Sequence, residues 1–430
     1  MGRLGIRSRT ANFLDRLSIG SSALDDASDS NRRMRLYSPE FAADPHRAYD
    51  EMRRSVGQLV PVEVTAGVPA TLVLGYRAAL RILADPAHFP ADPSTWQATI
   101  PAHCPALPIM EWGPVNSDEA SEYRHRSTYL AVMNEIDLYQ LRAVVEYEAV
   151  SLINEFCGTG GADLLSEYAI PLTVQVVNVL LGLPDDTGWQ LYDILTALRA
   201  STDAVSSRPL DTGFHDLLSS IVSDKRSQPG TDIISRLIQH PSGLDDEEVV
   251  AQTAVIYLRG TETTWNLIVN ALLLATTDGQ FRSGFLSGSL SVREAIDEAV
   301  FLDPPLANGC ARYPRQPQSV EGEWLAVDQP VLISLTACNS DAARSGDRQG
   351  NRSHLAWGAG PRCCPAQSVA AVIVQESLDQ LFDALPDITL AVPKEQMSWQ
   401  ANAFHRSPVA MPVQFPPSSS MPLPHRTAPR

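Results

Sequence analysis

Ser353 to Leu378 reads SHLAWGAGPRCCPAQSVAAVIVQESL, and this stretch decides the fold. Two glycines and a proline (Gly358, Gly360, Pro361) precede a vicinal cysteine pair, and an amphipathic helical pattern opens directly after it. Glycine gives a tight loop access to positive φ and to close backbone approach. Pro365 suits the first position of the following helix, where no N–H is needed. Cys364 is then expected at the helix N-terminus, where the positive end of the dipole stabilises a thiolate. Arg362, two residues earlier, points to one side of the loop and can meet an anionic group. The layout reads as a cradle for a metal-bound thiolate. Reading Cys363 and Cys364 as two small buried hydrophobes leaves the glycine spacing and Arg362 without a reason.

Working outward, residues 255–275 read VIYLRGTETTWNLIVNALLLA, in which Arg259, Gly260, Thr261, Glu262, Thr263 and Thr264 interrupt an otherwise apolar helix. Gly260 and the Thr263 hydroxyl can loosen the i to i−4 ladder and open a groove that holds water beside an acid. The bland alternative is a helix whose polar residues meet another helix. A second helical pattern, Val292 to Leu302, runs into Asp303-Pro304-Pro305.

Apolar residues at three- and four-residue intervals predict helices over Leu138–Phe156, Ala162–Leu181, Thr187–Ala200, Gly213–Ser223, Asp245–Ala275, Val292–Leu302 and Ala366–Leu385. Short β-branched or alternating runs predict strands at Val60–Val64, Ala70–Leu74, Trp324–Val327, Val331–Leu335 and Val409–Phe415. The expectation is one mainly α domain with small β-sheets over residues 36–415, a flexible leader over 1–35 and a Pro/Ser-rich disordered tail over 416–430.

Bulk properties agree with a packed domain: 44% of the 430 residues are hydrophobic and 19% charged. A net charge of −17 opposes broad contact with nucleic acid or an anionic membrane. The six cysteines are too scattered for a disulfide framework, so reduced thiols in a cytoplasmic setting are expected. The most apolar stretch, Val249 to Ala275, carries Arg259 and Glu262 near its middle. A bilayer penalises each by about 2.5–3.5 kcal/mol, so a buried helix is expected and no membrane span.

The cysteine loop resembles that of the bacterial cytochrome P450 family, which runs approximately H-L-x-F-G-x-G-x-[H/R]-x-C-x-G. His354, Leu355, Gly358, Gly360, Arg362 and Cys364 match in register, while Trp357 replaces the usual Phe and Ala366 the final Gly. The resemblance spans roughly residues 36–415 and implies the triangular heme-thiolate prism, with heme b between the central helix and the loop and Cys364 as the axial iron ligand. Residues 259–263 resemble the family's oxygen-binding helix, [A/G]-G-x-[D/E]-T, with Glu262 as acid and Thr263 as alcohol. Arg259 stands where the family has Ala or Gly, against the heme face, and is expected to narrow the distal pocket or to pair with Glu262. Arg312, after the Pro-Pro turn, and Arg362 are implied propionate contacts. The family's H-x-x-x-R segment corresponds to EYRHRS, with Tyr123 and Ser127 at the two positions and Arg124, His125 and Arg126 as substitutes.

A further departure lies in Glu298-Ala299-Val300-Phe301, where the family's Glu-x-x-Arg places an arginine at the position of Phe301. Some actinobacterial members lack this arginine. A buried unpaired Glu298 is costly, so another cation, with Arg344 and Arg348 nearest, is expected to take over; alternatively Glu298 faces solvent. Pro365 removes an N–H that the family's thiolate usually accepts. The expected result is a heme reduction potential lower than in Pro365→Leu, measured by spectroelectrochemistry. The resemblance implies a monooxygenase that takes electrons from ferredoxin and ferredoxin reductase and inserts one atom of O2 into an apolar organic substrate. The rival expectation is a heme-binding relative with little such activity, or a helper to a partner enzyme.

Overall fold

The computed structural model describes residues 33–100, 119–200, 204–279, 281, 291–341 and 351–424. Among the described residues the helices that frame the core are α1 (Glu119–Asn134), α2 (Leu138–Phe156), α3 (Ile170–Leu181), α4 (Asp185–Ala200), α5 (Ala204–Ser227), α6 (Asp246–Thr277), α7 (Val292–Leu302) and α8 (Gln367–Ala384), and others include Pro45–Ser55 and Tyr76–Ala84. Helix α6 spans about 48 Å at 1.5 Å per residue. It starts at a capping box, in which Asp245 accepts from the Glu248 N–H and Glu248 accepts in return from Asp245 N. From Thr264 to Leu273 every residue of α6 is buried, as expected for a helix apolar on all sides that threads the core. Around it α2, α3 and α8 close the largest apolar cluster, centred on Ile153, Leu172, Ile268 and Val374. Helices α2 and α7 keep the bounds that their sequence periodicity predicts.

A five-stranded sheet lies toward the N-terminal side, with β1 (Met34–Arg35), β2 (Leu59–Thr65), β3 (Val68–Val73), β4 (Asn308–Arg312) and β5 (Val331–Ser334) in the order β1-β2-β3-β5-β4. The β4 strand pairs antiparallel with β5, Gly309 opposite Ile333 but Arg312 opposite Val331. The extra residue is a bulge, with Cys310 at φ 50°, and it changes the direction in which Arg312 leaves the strand. Among the described residues no helix is long and apolar enough to cross a membrane.

Three sequence expectations differ from the structure. Ala162–Leu181 is not one helix: Gly161–Asp163 pairs with Pro412–Gln414, a π-turn covers Leu165–Ala169, and only then does α3 begin. Asp163 breaks the helical pattern, because its carboxylate accepts from Leu165 N and Met411 N. Helix α5 begins well before Gly213 and carries Pro209 inside it, where a sequence reading stops at the proline. The stretch expected to be a loose tail is tied down as far as Met421. Ser418 N donates to Cys157 O at 2.9 Å, and Asn154 brackets Met421 with bonds of 2.9 and 2.7 Å. Most of the expected leader, and Arg344 and Arg348, lie outside the described residues.

Candidate functional site

The cysteine loop folds through its own backbone. Gly358 N donates to Leu355 O at 2.7 Å, Cys363 N to Gly360 O at 3.2 Å and Cys364 N to Trp357 O at 2.7 Å. Gly358 and Gly360 have φ of 71° and 70°, in the left-handed region that favours glycine. A Cβ on Gly360 would lie 2.5 Å from Leu83 O, so the loop needs this glycine both for its φ and for its approach to helix Tyr76–Ala84. Trp357 packs on the main core cluster and anchors the other end of the loop.

Helix α8 begins at Gln367, one residue later than its sequence periodicity suggests. Ala366 is the N-cap, with φ −92° and ψ 14°, and Pro365 lies in the turn before it instead of at the first helical position. The Ala366 N–H is thereby freed to donate to the Cys364 sulfur. Burial pushes the Cys364 thiol up, while this hydrogen bond and the charges of Arg126 and Arg259 pull it down. Cys363, by contrast, is exposed.

Four arginines from four elements gather around the loop, and the charges of two of them, Arg126 and Arg259, act on the Cys364 sulfur. Arg312, 4% exposed, leaves β4 at the bulge and donates to Cys310 O and Ala311 O at 3.1 and 2.9 Å. Arg362 in the loop pairs with Glu122 on α1. Arg126, one helical turn after Glu122, donates to Cys363 O. Arg259 projects from α6, and its charge is felt at Cys310, Tyr313, Tyr129, Cys364, Arg312 and Arg362. Burial lowers both Arg312 and Arg362 below the usual guanidinium range; Arg362 and Arg259 add to it at Arg312, and Arg126 and Arg259 at Arg362.

Helix α1 corrects the register read from sequence. Tyr123 is 76% exposed, and Ser127 donates to Arg124 O on its own helix. The residues that face the loop are Glu122 and Arg126, one position earlier, four apart and therefore on one face. Arg124, expected beside the cofactor, turns instead to the start of α6 and pairs with Glu248, which His125 also contacts at 2.8 Å. Burial raises the Glu248 carboxyl, but the hydrogen bonds from Arg124, His125 and Asp245 N outweigh it and bring the pKa to about 2.

On α6 the Thr263 hydroxyl donates to Arg259 O, and Thr261 to Tyr257 O at 2.7 Å, yet the helix runs unbroken to Thr277. A Cβ on Gly260 would meet only Val177, at 4.0 Å. Glu262 faces His405, whose Nε2 lies 3.5 Å from its carboxylate. His405 Nδ1 lies 3.0 Å from Pro305 O, an acceptor only, so Nδ1 carries the hydrogen. Sequence reading missed His405, which is 143 positions away in the chain; among the described residues no ion pair joins Arg259 to Glu262.

Phe301 is buried, 4% exposed, and meets the His354 ring edge-on at 5.0 Å. An aromatic contact thus fills the place where the family has an arginine. Glu298 is half-buried, and its neighbour Asp297 is the residue that meets Arg293 and Arg352, at 3.3 and 3.8 Å. Asn339 ties the region together. Its Nδ2 donates to Val300 O and Phe301 O at 3.0 and 3.3 Å, and its Oδ1 accepts from Leu355 N at 2.8 Å.

The residues present fit heme b. The Nε atoms of Arg126, Arg312 and Arg362 are buried with no hydrogen-bond partner. Buried donors without partners are rare in folded proteins, and a ligand bearing two carboxylates answers them. A half-buried sulfur beside them supplies the axial donor such a ligand needs.

Comparison with known proteins agrees. No protein-family model matches the chain. The cytochrome P450 monooxygenase PikC of Streptomyces venezuelae is 25% identical over 87% of this chain and 92% of its own. The vitamin D(3) 25-hydroxylase of Pseudonocardia autotrophica is 25% identical over 90% of this chain and 97% of its own. Among solved structures, CYP154C4 from a Streptomyces strain superposes with a TM-score of 0.80 at 24% identity, over 89% of this chain and 98% of that one. The tirandamycin C-bound monooxygenase TamI superposes at 0.79 and 23% identity, over 89% of this chain and 100% of that one. Cysteine loop, central helix, near full-length likeness to curated relatives and shared fold lead to one conclusion: the chain has the cytochrome P450 fold and is similar along nearly its whole length to bacterial heme b monooxygenases of that superfamily.

Proposed function

We propose that this enzyme inserts one oxygen atom from O2 into an apolar organic substrate, with electrons delivered by a ferredoxin and its reductase and with Cys364 as the axial thiolate. The observation that carries the reading is a half-buried Cys364 in a loop flanked by three arginines, Arg126, Arg312 and Arg362, whose Nε donors lack partners among the described residues.

Heme b held there supplies the activation of dioxygen, and the thiolate's electron density favours O–O cleavage. The rest falls to the chain. Arg312 and Arg362 hold the propionates, with Arg126 beside them. Gly358 and Gly360 let the backbone approach closely enough to present the sulfur, and Ala366 N–H fixes its lone pair. Glu262, with His405 Nε2 3.5 Å from its carboxylate, is the acid that hands on a proton. Thr263, hydrogen-bonded to Arg259 O, is the hydroxyl that receives and passes it on. The likeness to PikC and to the vitamin D(3) 25-hydroxylase supports hydroxylation as the outcome.

The test is the absorption spectrum of the reduced, CO-bound protein, followed by NADH consumption with a surrogate ferredoxin pair. A red-shifted Soret band together with substrate-dependent consumption is expected. A band typical of nitrogen ligation overturns the thiolate; a red-shifted band with no consumption for any apolar substrate overturns the monooxygenation.

A further inference from the structure

The charges around Cys364 do not balance with heme alone. Arg126, Arg259, Arg312 and Arg362 bring four positive charges to one space. Glu122 answers one, through its pair with Arg362. Asp92, the other acid that Arg362 feels, is held by Arg315. The two propionates of heme b answer two more, and the thiolate is spent on the iron. Among the described residues one cation is left over.

Its identity follows from what each arginine touches. Arg126 donates to Cys363 O, Arg312 to Cys310 O and Ala311 O, and Arg362 to Glu122. All three come from the loop or from the elements flanking it. Arg259 comes from a separate element, α6, in the turn that carries Glu262 and Thr263. It is exposed although the positions two and three before it, Tyr257 and Ile256, are buried, and among the described residues its guanidinium makes no ion pair. A guanidinium is never deprotonated at working pH and presents a planar fork of donors that matches a carboxylate in two parallel hydrogen bonds. Where water is excluded, such a pair is stronger than at a surface and discriminates against a neutral analogue that leaves the fork unpaired.

We propose that Arg259 is the specificity-determining residue of this enzyme and that its substrate carries a carboxylate, gripped by the Arg259 guanidinium while the apolar remainder of the molecule fills the pocket beside α6. The proposal rests on the heme monooxygenase reading and deepens it by naming the substrate class. It also assigns a use to the one residue of α6 that departs from the family pattern.

The test uses heme-loaded protein, wild type, Arg259→Leu and Arg259→Lys, titrated by optical difference spectroscopy with two pairs of probes: dodecanoic acid against dodecan-1-ol, and 1-naphthoic acid against 1-naphthalenemethanol. In the wild type at least one acid should outbind its alcohol by about tenfold or more, and added salt should weaken the acid alone. Arg259→Leu should erase that preference while leaving alcohol binding and heme retention intact, and Arg259→Lys should keep part of it. The proposal is overturned if no acid outbinds its alcohol, or if Arg259→Leu sheds heme with the preference unchanged, which would make Arg259 a propionate ligand. The reduced CO spectrum, recorded first on each sample, keeps the two failures apart: a protein with the thiolate band and no acid preference sinks Arg259 alone.

Discussion

Cys364→Ser is expected to lose the red-shifted CO-bound Soret band completely, whereas Cys363→Ser keeps it. The two sulfurs are neighbours in sequence and differ in every physical respect that matters. Cys364 is half-buried, accepts a hydrogen bond from Ala366 N–H and lies where Arg126 and Arg259 stabilise negative charge. Cys363 is exposed, and its nearest polar contact is Arg126, 4.0 Å from the sulfur. For Cys363 to take over, the loop would have to slip by one residue, giving up the 2.7 Å bond from Cys364 N to Trp357 O and moving the two glycines off their positive φ positions. A hydroxyl is a far poorer iron donor than a thiolate, so no intermediate phenotype is expected from Cys364→Ser. A Cys363→Ser protein without the band, or a Cys364→Ser protein that retains it, would assign the ligand to the wrong sulfur.

Gly360→Ala should give a protein that loses heme on gel filtration and unfolds at lower temperature. A left-handed backbone costs a non-glycine residue about 1–2 kcal/mol. The added methyl would also lie 2.5 Å from Leu83 O and 3.2 Å from Ala84 Cα, backbone atoms that cannot swing aside. Overpacking of this kind costs about 1–3 kcal/mol, so the combined loss is about 2–5 kcal/mol, a large part of a typical domain's stability. Gly358→Ala is the control. Its φ is the same, but its nearest neighbour would be the Cys310 sulfur at 3.6 Å, an ordinary contact, so only the backbone cost applies. Equal heme retention and equal melting temperatures for the two variants would show that the approach to Leu83 is of no consequence.

The arrangement explains how the chain does without the arginine at position 301. In its place Phe301 packs edge-on against His354, and the hydrogen bonds that hold α7 to the cysteine loop come from Asn339. The replacement cations expected for Glu298, Arg344 and Arg348, lie outside the described residues, and what the described residues place between α7 and the loop is a buried amide. An amide both donates and accepts, so one side chain satisfies carbonyls of α7 and an N–H of the loop without burying a charge.

Local chemistry carried the sequence reading a long way. The Gly-x-Gly-x-Arg-x-Cys spacing, the apolar periodicity of α2, α6, α7 and α8, and the polar interruption at 259–264 are properties of short segments. Glycine, proline and a repeat of 3.6 residues constrain the backbone wherever they occur, so the helical class and the glycine-shaped turn of the cysteine loop were legible from the chain itself. Only the tertiary structure decided which face of α1 meets the loop, that His405 faces Glu262, that Glu122 holds Arg362, that Asn339 joins α7 to the loop, and where Arg312 points after its bulge. Each of these is a pairing between residues from different elements, most of them far apart in the chain. Which partner a charge or an amide finds depends on how helices and strands pack, and a one-dimensional pattern does not contain that distance.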